Sequence, residues 1–261
     1  MKILITGGNG FIAKEIYDNL NSIYMIYNPS RQDLDLLNKI NIKKYFEKDI
    51  FYDVVIHTAI KGGSRLNNDE SDVFYDNIKM FYNLIEYKNK FNKLINFSSG
   101  ASLDRNTDIN EYKDIFSANP DDYYGLSKNI IDRLIFDMDN YYNIRIFNLF
   151  SENEKESRFI KKCKESVKLN KDIIINNDRY FDFFNSNDLI KVIVYYIENK
   201  NLIKDIDLCY KKKYKLSDIA KIINKNNKVK IIIESESNLN YIGNYLNLYK
   251  YNLEIGNDIN L

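Results

Sequence analysis

Apolar positions along the first 150 residues alternate between two rhythms. "KILIT" (2–6) is a solid apolar run of strand length that meets glycines at once, and segment 11–20 then places Phe11, Ile12, Ile16 and Leu20 at helical spacing. "YMIY" (24–27) reads as a second strand, 39–47 as a helix, "DVVIHTA" (53–59) as a buried strand and "DVFYDNIKMFYNLIEY" (72–87) as a helix. "KLINFSS" (93–99) predicts another strand. Residues 124–140 predict a helix with Ile130, Ile131, Leu134, Ile135 and Met138 on one face, and "NIRIFNLF" (143–150) predicts the next strand. Solidly apolar strands alternating with helices are the pattern of a parallel sheet covered on both faces.

After about residue 150 the pattern loosens. "RFIKKCKESVKL" (158–169) reads as a helix, "DIIIN" (172–176) as a strand, and "DLIKVIVYYIEN" (188–199) as a helix with Asp188 as its cap. "KLSDIAKIIN" (215–224) reads as a helix opened by Ser217, and "VKIIIE" (229–234) as a strand. The expected organisation is α/β: a larger domain over 1–150, with return segments from about 177–200, and a small mixed region over 151–261. The latter would sit against the carboxyl ends of the main strands, where open parallel sheets bind ligands.

Composition narrows the function. A chain of 261 residues can bury a sizeable core. A net charge of +1, with charges spread throughout, gives no electrostatic case for nucleic acid or an anionic membrane. No apolar stretch is long enough to span a bilayer and no secretory signal is present, so a cytoplasmic location is expected. Cys163 and Cys209 lack ligand-type spacing and read as free thiols. With His57 the only histidine, neither a His-based metal site nor a Ser-His-Asp triad is expected; His57, at the end of a buried strand, reads as a packed side chain.

"TGGNGFIA" (6–13) lies between the first strand and the first helix, with Gly7, Gly10 and Ala13 in the three small-residue positions. Gly7 permits the tight turn, Gly10 lets backbone approach a pyrophosphate, and Ala13 keeps the helix close to the sheet. The helix N-terminus offers amides and a positive dipole end to phosphates. In NAD-binding loops an acidic residue ends the second strand; here the stretch is "YNPSRQDLDLLN" (27–38), with no acid at the strand end and Ser30-Arg31 directly after. A guanidinium there suits a 2′-phosphate and favours NADP(H).

"YYGLSK" (123–128) holds Tyr124 and Lys128 four positions apart, which proves little alone in a chain with 22 tyrosines. Together with the glycine loop and "FSS" (97–99), however, it resembles the extended short-chain dehydrogenase/reductases of the epimerase/dehydratase type that act on nucleotide sugars. "DFFNSNDL" (182–189) is similar to a later segment of that family. "SRQDLDLLN" (30–38) and "AIKGGSRLNN…DVFYDNIKMFYNLIE" (59–86) are nearest to its GDP-L-fucose synthase-like 4-keto reductases. The resemblance implies a Rossmann-type doubly wound sheet and a catalytic set of Ser99, Tyr124 and Lys128, with Ser98 as the alternative serine. It implies cofactor contacts from Gly7, Asn9, Gly10, Phe11, Ile12, Arg31, Ala59, Lys61 and Asn77, besides Tyr124 and Lys128. Asn148, Arg158 and Arg179 would join Ser98 and Ser99 on a nucleotide-sugar substrate, the two arginines because their forks suit phosphate oxygens. Residues 72–87 and 124–140 would pair two copies into a homodimer. Tyr124 and Lys128 share a helix face. The ammonium and an oxidised nicotinamide both favour phenolate, so the tyrosine pKa is expected to fall from about 10.

Departures from the family pattern set the expected reaction. Nucleotide-sugar dehydratases carry two acids just after the Ser/Thr, where this chain has Gly100 and Ala101. GDP-L-fucose synthase uses a cysteine at the position of Ala101 and a later histidine, and no histidine follows His57. The expectation is therefore an NADPH-dependent 4-keto reductase without epimerase activity, feeding polysaccharide or glycan synthesis. Two alternatives stay open: a 4-epimerase with tightly bound NAD, using the same Tyr, Lys and Ser, and a non-catalytic NADP-sensing protein.

Overall fold

A computed structural model describes residues 1–64 and 69–261; residues 65–68, which belong to the 59–86 segment quoted above, lie outside the described residues. In chain order the elements are β1 (Lys2–Thr6), α1 (Phe11–Leu20), β2 (Met25–Tyr27), α2 (Lys39–Phe46), β3 (Tyr52–His57), α3 (Ser71–Ile85), β4 (Phe91–Ser99), α4 (Tyr123–Phe136) and β5 (Tyr141–Ile146). There follow β6 (Leu149–Phe150), α5 (Phe159–Lys168), β7 (Ile173–Ile175), β8 (Phe184–Asn185), α6 (Ser186–Glu198), β9 (Asp205–Leu208), α7 (Leu216–Ile223), β10 (Ile231–Ile233) and α8 (Leu246–Tyr249).

Six strands form one sheet in the order β2-β1-β3-β4-β5-β9, every pair parallel. Strand alternation sorts its side chains into two cores. Ile3, Ile5, Val54, Ile56, Ile95 and Ile144 face α1 and α6, while Leu4, Val55, Leu94 and Tyr141 face α2, α3 and α4. With both faces buried, nearly every strand position is apolar, the solid runs seen in the sequence. The sixth strand comes from 205–208, beyond the return segment expected at about 177–200. "DIDL" escaped notice because its acids alternate with its apolar residues.

The remaining strands make two small parallel pairs, β10-β7 and β6-β8. A third core of Leu103, Ile109, Phe147, Phe181, Phe183 and Tyr241 lies beneath these elements, at the carboxyl ends of the main strands. Two expected caps are corrected. Asn185, not Asp188, caps α6 by accepting from Asn187 N, and Asp188 accepts from the Tyr210 hydroxyl at 2.7 Å instead. Ser217 lies inside α7, where its amide and hydroxyl both donate to Asp178. Both cysteines are free and fully buried, Cys163 in α5 and Cys209 just after β9.

Candidate active site

The chain reverses its sheet order between β1 and β3, and the crevice beyond those strand ends holds the glycine loop. Gly7 has φ +75°, and a Cβ there would lie 2.8 Å from the Ala59 Cα, so only glycine lets the loop pass the end of β3. Gly10 N donates to Gly7 O at 2.8 Å, closing the turn. Gly10 is also the residue before α1; no side chain caps this helix and its first turn carries no acid. The amides of Phe11 and Ile12 are thus available to an anion, with Asn9 exposed beside them. This is a cradle that a side chain would fill, and it suits the diphosphate of a dinucleotide.

On one side of the loop is a cavity of about 230 Å³ bordered by Gly7, Arg31, Asp35, Ala59 and Lys61. Arg31 is largely exposed there and pairs with Asp35 at 3.5 Å. The Lys61 ammonium is held by Asp72 and Asp76, each at 2.6 Å. Asn77 binds both backbone groups of Lys61: it accepts from Lys61 N at 2.9 Å and donates to Lys61 O at 3.1 Å. Its amide also donates to Ser127 Oγ at 3.1 Å, tying this loop to α4.

On the other side is a cavity of about 190 Å³ that brings together Phe11 and Ile12 of α1, Ser98 and Ser99 of β4, Tyr124 and Lys128 of α4, and Asn148 and Arg158. Asp122 starts α4 by accepting from Gly125 N at 2.8 Å, which sets Tyr124 in the first turn and Lys128 one turn on. The two serines diverge, as neighbours on a strand must. The Ser99 hydroxyl hydrogen-bonds the Tyr124 phenol. Ser98 touches the cavity, but its hydroxyl donates to buried Asp132 at 2.6 Å. Lys128 Nζ donates to Phe97 O at 2.6 Å.

The direction of the Tyr124 shift in this structure is opposite to the fall expected beside an oxidised nicotinamide. Burial pushes the Tyr124 phenol up, and the hydrogen bond from Ser99 and the charge of Arg105 offset only part of this. Burial also holds Lys128 down, to about 8, against the opposing pull of Asp132. Tyr124 is therefore a protonated acid at neutral pH. His57 is 3% exposed and bonded to Thr6 Oγ1 at 2.8 Å, with burial depressing its pKa to about 3, so it stays neutral.

The two arginines differ. Arg158 lines the cavity, donates to Asn148 Oδ1 and to Leu149 O, and pairs with buried Glu154 at 3.2 Å. Arg179 is not among the residues lining the cavity. It packs over Phe181 at 5.6 Å and donates to Leu239 O at 3.3 Å.

Residues that sequence reasoning missed surround Tyr124. The Arg105 guanidinium lies 5.8 Å from the centre of the Tyr124 ring and donates to Asp122 at 2.8 Å and Asp69 at 3.4 Å. Tyr241 meets Phe147 edge to face and packs at a tilt on Phe181 beside it. Behind Ser98, buried Arg145 binds Asp132, Asp205 and Asp207. Arg145 was visible as a charge inside an apolar strand, and "DIDL" held its partners; nothing marked Arg105 or Tyr241.

No curated protein matches the chain. Among solved structures, a GDP-mannoheptose C4 reductase of Campylobacter jejuni with NADP bound has a TM-score of 0.78 at 19% identity, covering 100% of this chain and 94% of that one. A GDP-L-fucose synthetase of Naegleria fowleri bound to NADP scores 0.78 at 18% identity, covering 96% and 86%. A dTDP-4-dehydrorhamnose reductase of Clostridium acetobutylicum scores 0.74 at 24% identity, covering 89% and 83%. At these identities the likeness is one of fold. The described family "NAD dependent epimerase/dehydratase" matches residues 3–208, spanning the sheet, the glycine loop and the Tyr-Lys helix, and the chain belongs to it.

Proposed function

We propose that the chain is an NADPH-dependent reductase that converts a 4-keto-6-deoxy or 4-keto dideoxy nucleotide sugar to its 4-hydroxy product. The observation that carries the reading is the make-up of the cavity around Tyr124. It holds a hydroxyl pair, Ser99 and Tyr124, with Lys128 beneath, yet no Asp, Glu, His or Cys among its described lining residues. Reduction of a ketone needs one acid at the carbonyl oxygen. Epimerisation or dehydration needs further groups to move protons at neighbouring carbons. Where those groups would stand, Gly100 and Ala101 are buried, and Gly100 is walled by Phe147 and Tyr241.

In this reading the α1 amides and Gly10 hold the cofactor diphosphate, and Arg31 meets the 2′-phosphate. Lys61 contributes through its backbone, fixed by Asn77. The cofactor supplies hydride. Ser99 and Tyr124 hold the carbonyl oxygen, and Tyr124 gives up its proton as that oxygen gains charge. An alkoxide is a stronger base than a phenolate, so a phenol with a raised pKa still donates to it. Lys128 keeps a positive charge beneath the phenolate that remains. Asn148 and Arg158 border the site for the sugar nucleotide. Dimerisation through α3 and α4, which expose Tyr75, Tyr82 and Phe136, belongs to the same proposal, as does a place in glycan synthesis. Among the described residues no helix is long and apolar enough to cross a membrane.

A second reading, a 4-epimerase holding NAD, draws on Asp35, an acid in the cavity with Arg31 that could bind ribose hydroxyls. The test is NADPH or NADH oxidation at about 340 nm, the reduced-nicotinamide band, with 4-keto-6-deoxy sugars on GDP, dTDP, CDP and UDP. Turnover with one nucleotide, a preference for NADPH and loss of that preference in Arg31→Ala support the reductase. Interconversion of ordinary UDP-hexoses without cofactor consumption supports the epimerase instead.

A further inference from the structure

We propose that Arg105, held between Asp69 and Asp122 over the face of Tyr124, is a positioning residue that fixes the phenol in the cavity and sets the charge it meets. The inference rests on the reading of Tyr124 as the proton donor. Three separate stretches meet at this guanidinium. Asp69 lies two residues before α3, and both its oxygens accept from Gly63 N at 3.1 Å. Asp122 is the residue that starts α4, and Arg105 itself follows β4 by one short turn. Arg105 is only 15% exposed and both of its partners are equally or more deeply buried, so these pairs are shielded from solvent.

The arrangement leaves the ring little freedom. Gly63 has φ +82°, and a Cβ there would fall 2.6 Å from the Tyr124 ring. Gly63, whose amide Asp69 holds, thus abuts the phenol directly, and Arg105 ties Asp69 to Asp122 at the start of α4. The arrangement is also electrostatic. The groups facing the phenol are the Ser99 hydroxyl from β4, Tyr241 from the C-terminal segment, Asp69, Arg105, and Lys128 from α4. Arg105 and Asp69 act on Tyr124 with opposite signs. One oxygen of Asp122 is buried without a hydrogen-bond partner, so loss of the guanidinium would leave its charge at the start of α4 with only the Gly125 amide to meet it.

The test reads the phenol itself, because 22 tyrosines hide one titration in bulk absorbance. 3,5-Difluorotyrosine placed at position 124 lowers the phenol into an accessible range, and its ¹⁹F shift is followed against pH in the full chain. Arg105→Met is expected to raise the midpoint by about one unit, the low end for a charge at this distance. Arg105→Lys should stay near the parent, and Asp69→Asn should move the midpoint down. With natural Tyr124, kcat should fall in Arg105→Met with its pH profile displaced the same way, while the KM for NADPH holds. Coincident midpoints in parent and Arg105→Met, or shifts of the same sign in Arg105→Met and Asp69→Asn, would overturn the proposal. Should Arg105→Met not fold, an unmoved midpoint in Asp69→Asn overturns it alone. Failure of the reductase reading would look different: opposite midpoint shifts intact, but no NADPH consumed with any keto sugar.

Discussion

The two ends of the cleft are built from different materials. The end proposed for the cofactor diphosphate is backbone: Gly7, Gly10 and the amides of Phe11 and Ile12, all within six consecutive positions and set by one tight turn against Ala59. The end proposed for the substrate carbonyl is assembled from side chains far apart in sequence, Asp69, Ser99, Arg105, Tyr124 and Tyr241, and held by buried ion pairs. Backbone donors cannot be mutated away, and they accept any phosphate. Side-chain clusters can be retuned one residue at a time. The difference explains how one fold keeps its cofactor chemistry while its substrate chemistry varies.

The comparison can be tested by breaking each end separately. Tyr124→Phe should have the largest effect. Turnover should drop by about 10²- to 10⁴-fold, the worth of a positioned general acid, while dinucleotide affinity, read by fluorescence titration, holds. An equal loss of both would mean the two ends are not independent. Next is Arg145→Met, which strands three carboxylates behind Ser98. Urea unfolding should show a loss of about 3–5 kcal/mol, the usual cost of breaking a buried charge cluster from one side.

Gly7→Ala acts on the other end. The forced φ and the contact with Ala59 should destabilise by on the order of 1–3 kcal/mol and weaken dinucleotide binding. The pH profile of any residual turnover should not move, since nothing near Tyr124 changes. At neutral pH the smallest effect concerns Lys128, whose contribution changes only at higher pH. Its folded pKa of about 8 lies below the ordinary 10.5, so between these values the unfolded chain binds more protons. Its contribution to stability should then rise with pH across that window, by up to about 1.4 kcal/mol per unit. Lys128→Met should lack that rise, so the difference between parent and variant unfolding free energies should grow across the same window.

Much of the scaffold was legible because it follows local rules. β1, the glycine turn and α1 are contiguous, and each has a period or a steric requirement that short stretches display. The Tyr124–Lys128 spacing needs only one helix. The serines were harder. Alternation says that Ser98 and Ser99 point opposite ways, but which one meets Tyr124 depends on Asp132, thirty-four residues further on, capturing the other. β9 was hidden for a related reason. Asp205 and Asp207 look like surface acids until Arg145 lies on the neighbouring strand, in register with Asp207. Arg105 and Tyr241 lie in irregular segments with no period, and only the folded chain brings them to the phenol. Arg179 shows the converse: a guanidinium near a familiar segment in sequence, yet turned onto Phe181 and Leu239.

The two buried thiols have a practical consequence. Cys163 sits in the small C-terminal core, its pKa pushed up by burial to about 12, and Cys209 follows the last strand of the main sheet. Neither can react with an alkylating reagent while its surroundings stay closed. Each is therefore a built-in clock for the opening of its own part of the molecule. Mass spectrometry of timed alkylation would show whether the small C-terminal core breathes before the sheet does, and whether added dinucleotide slows one clock or both.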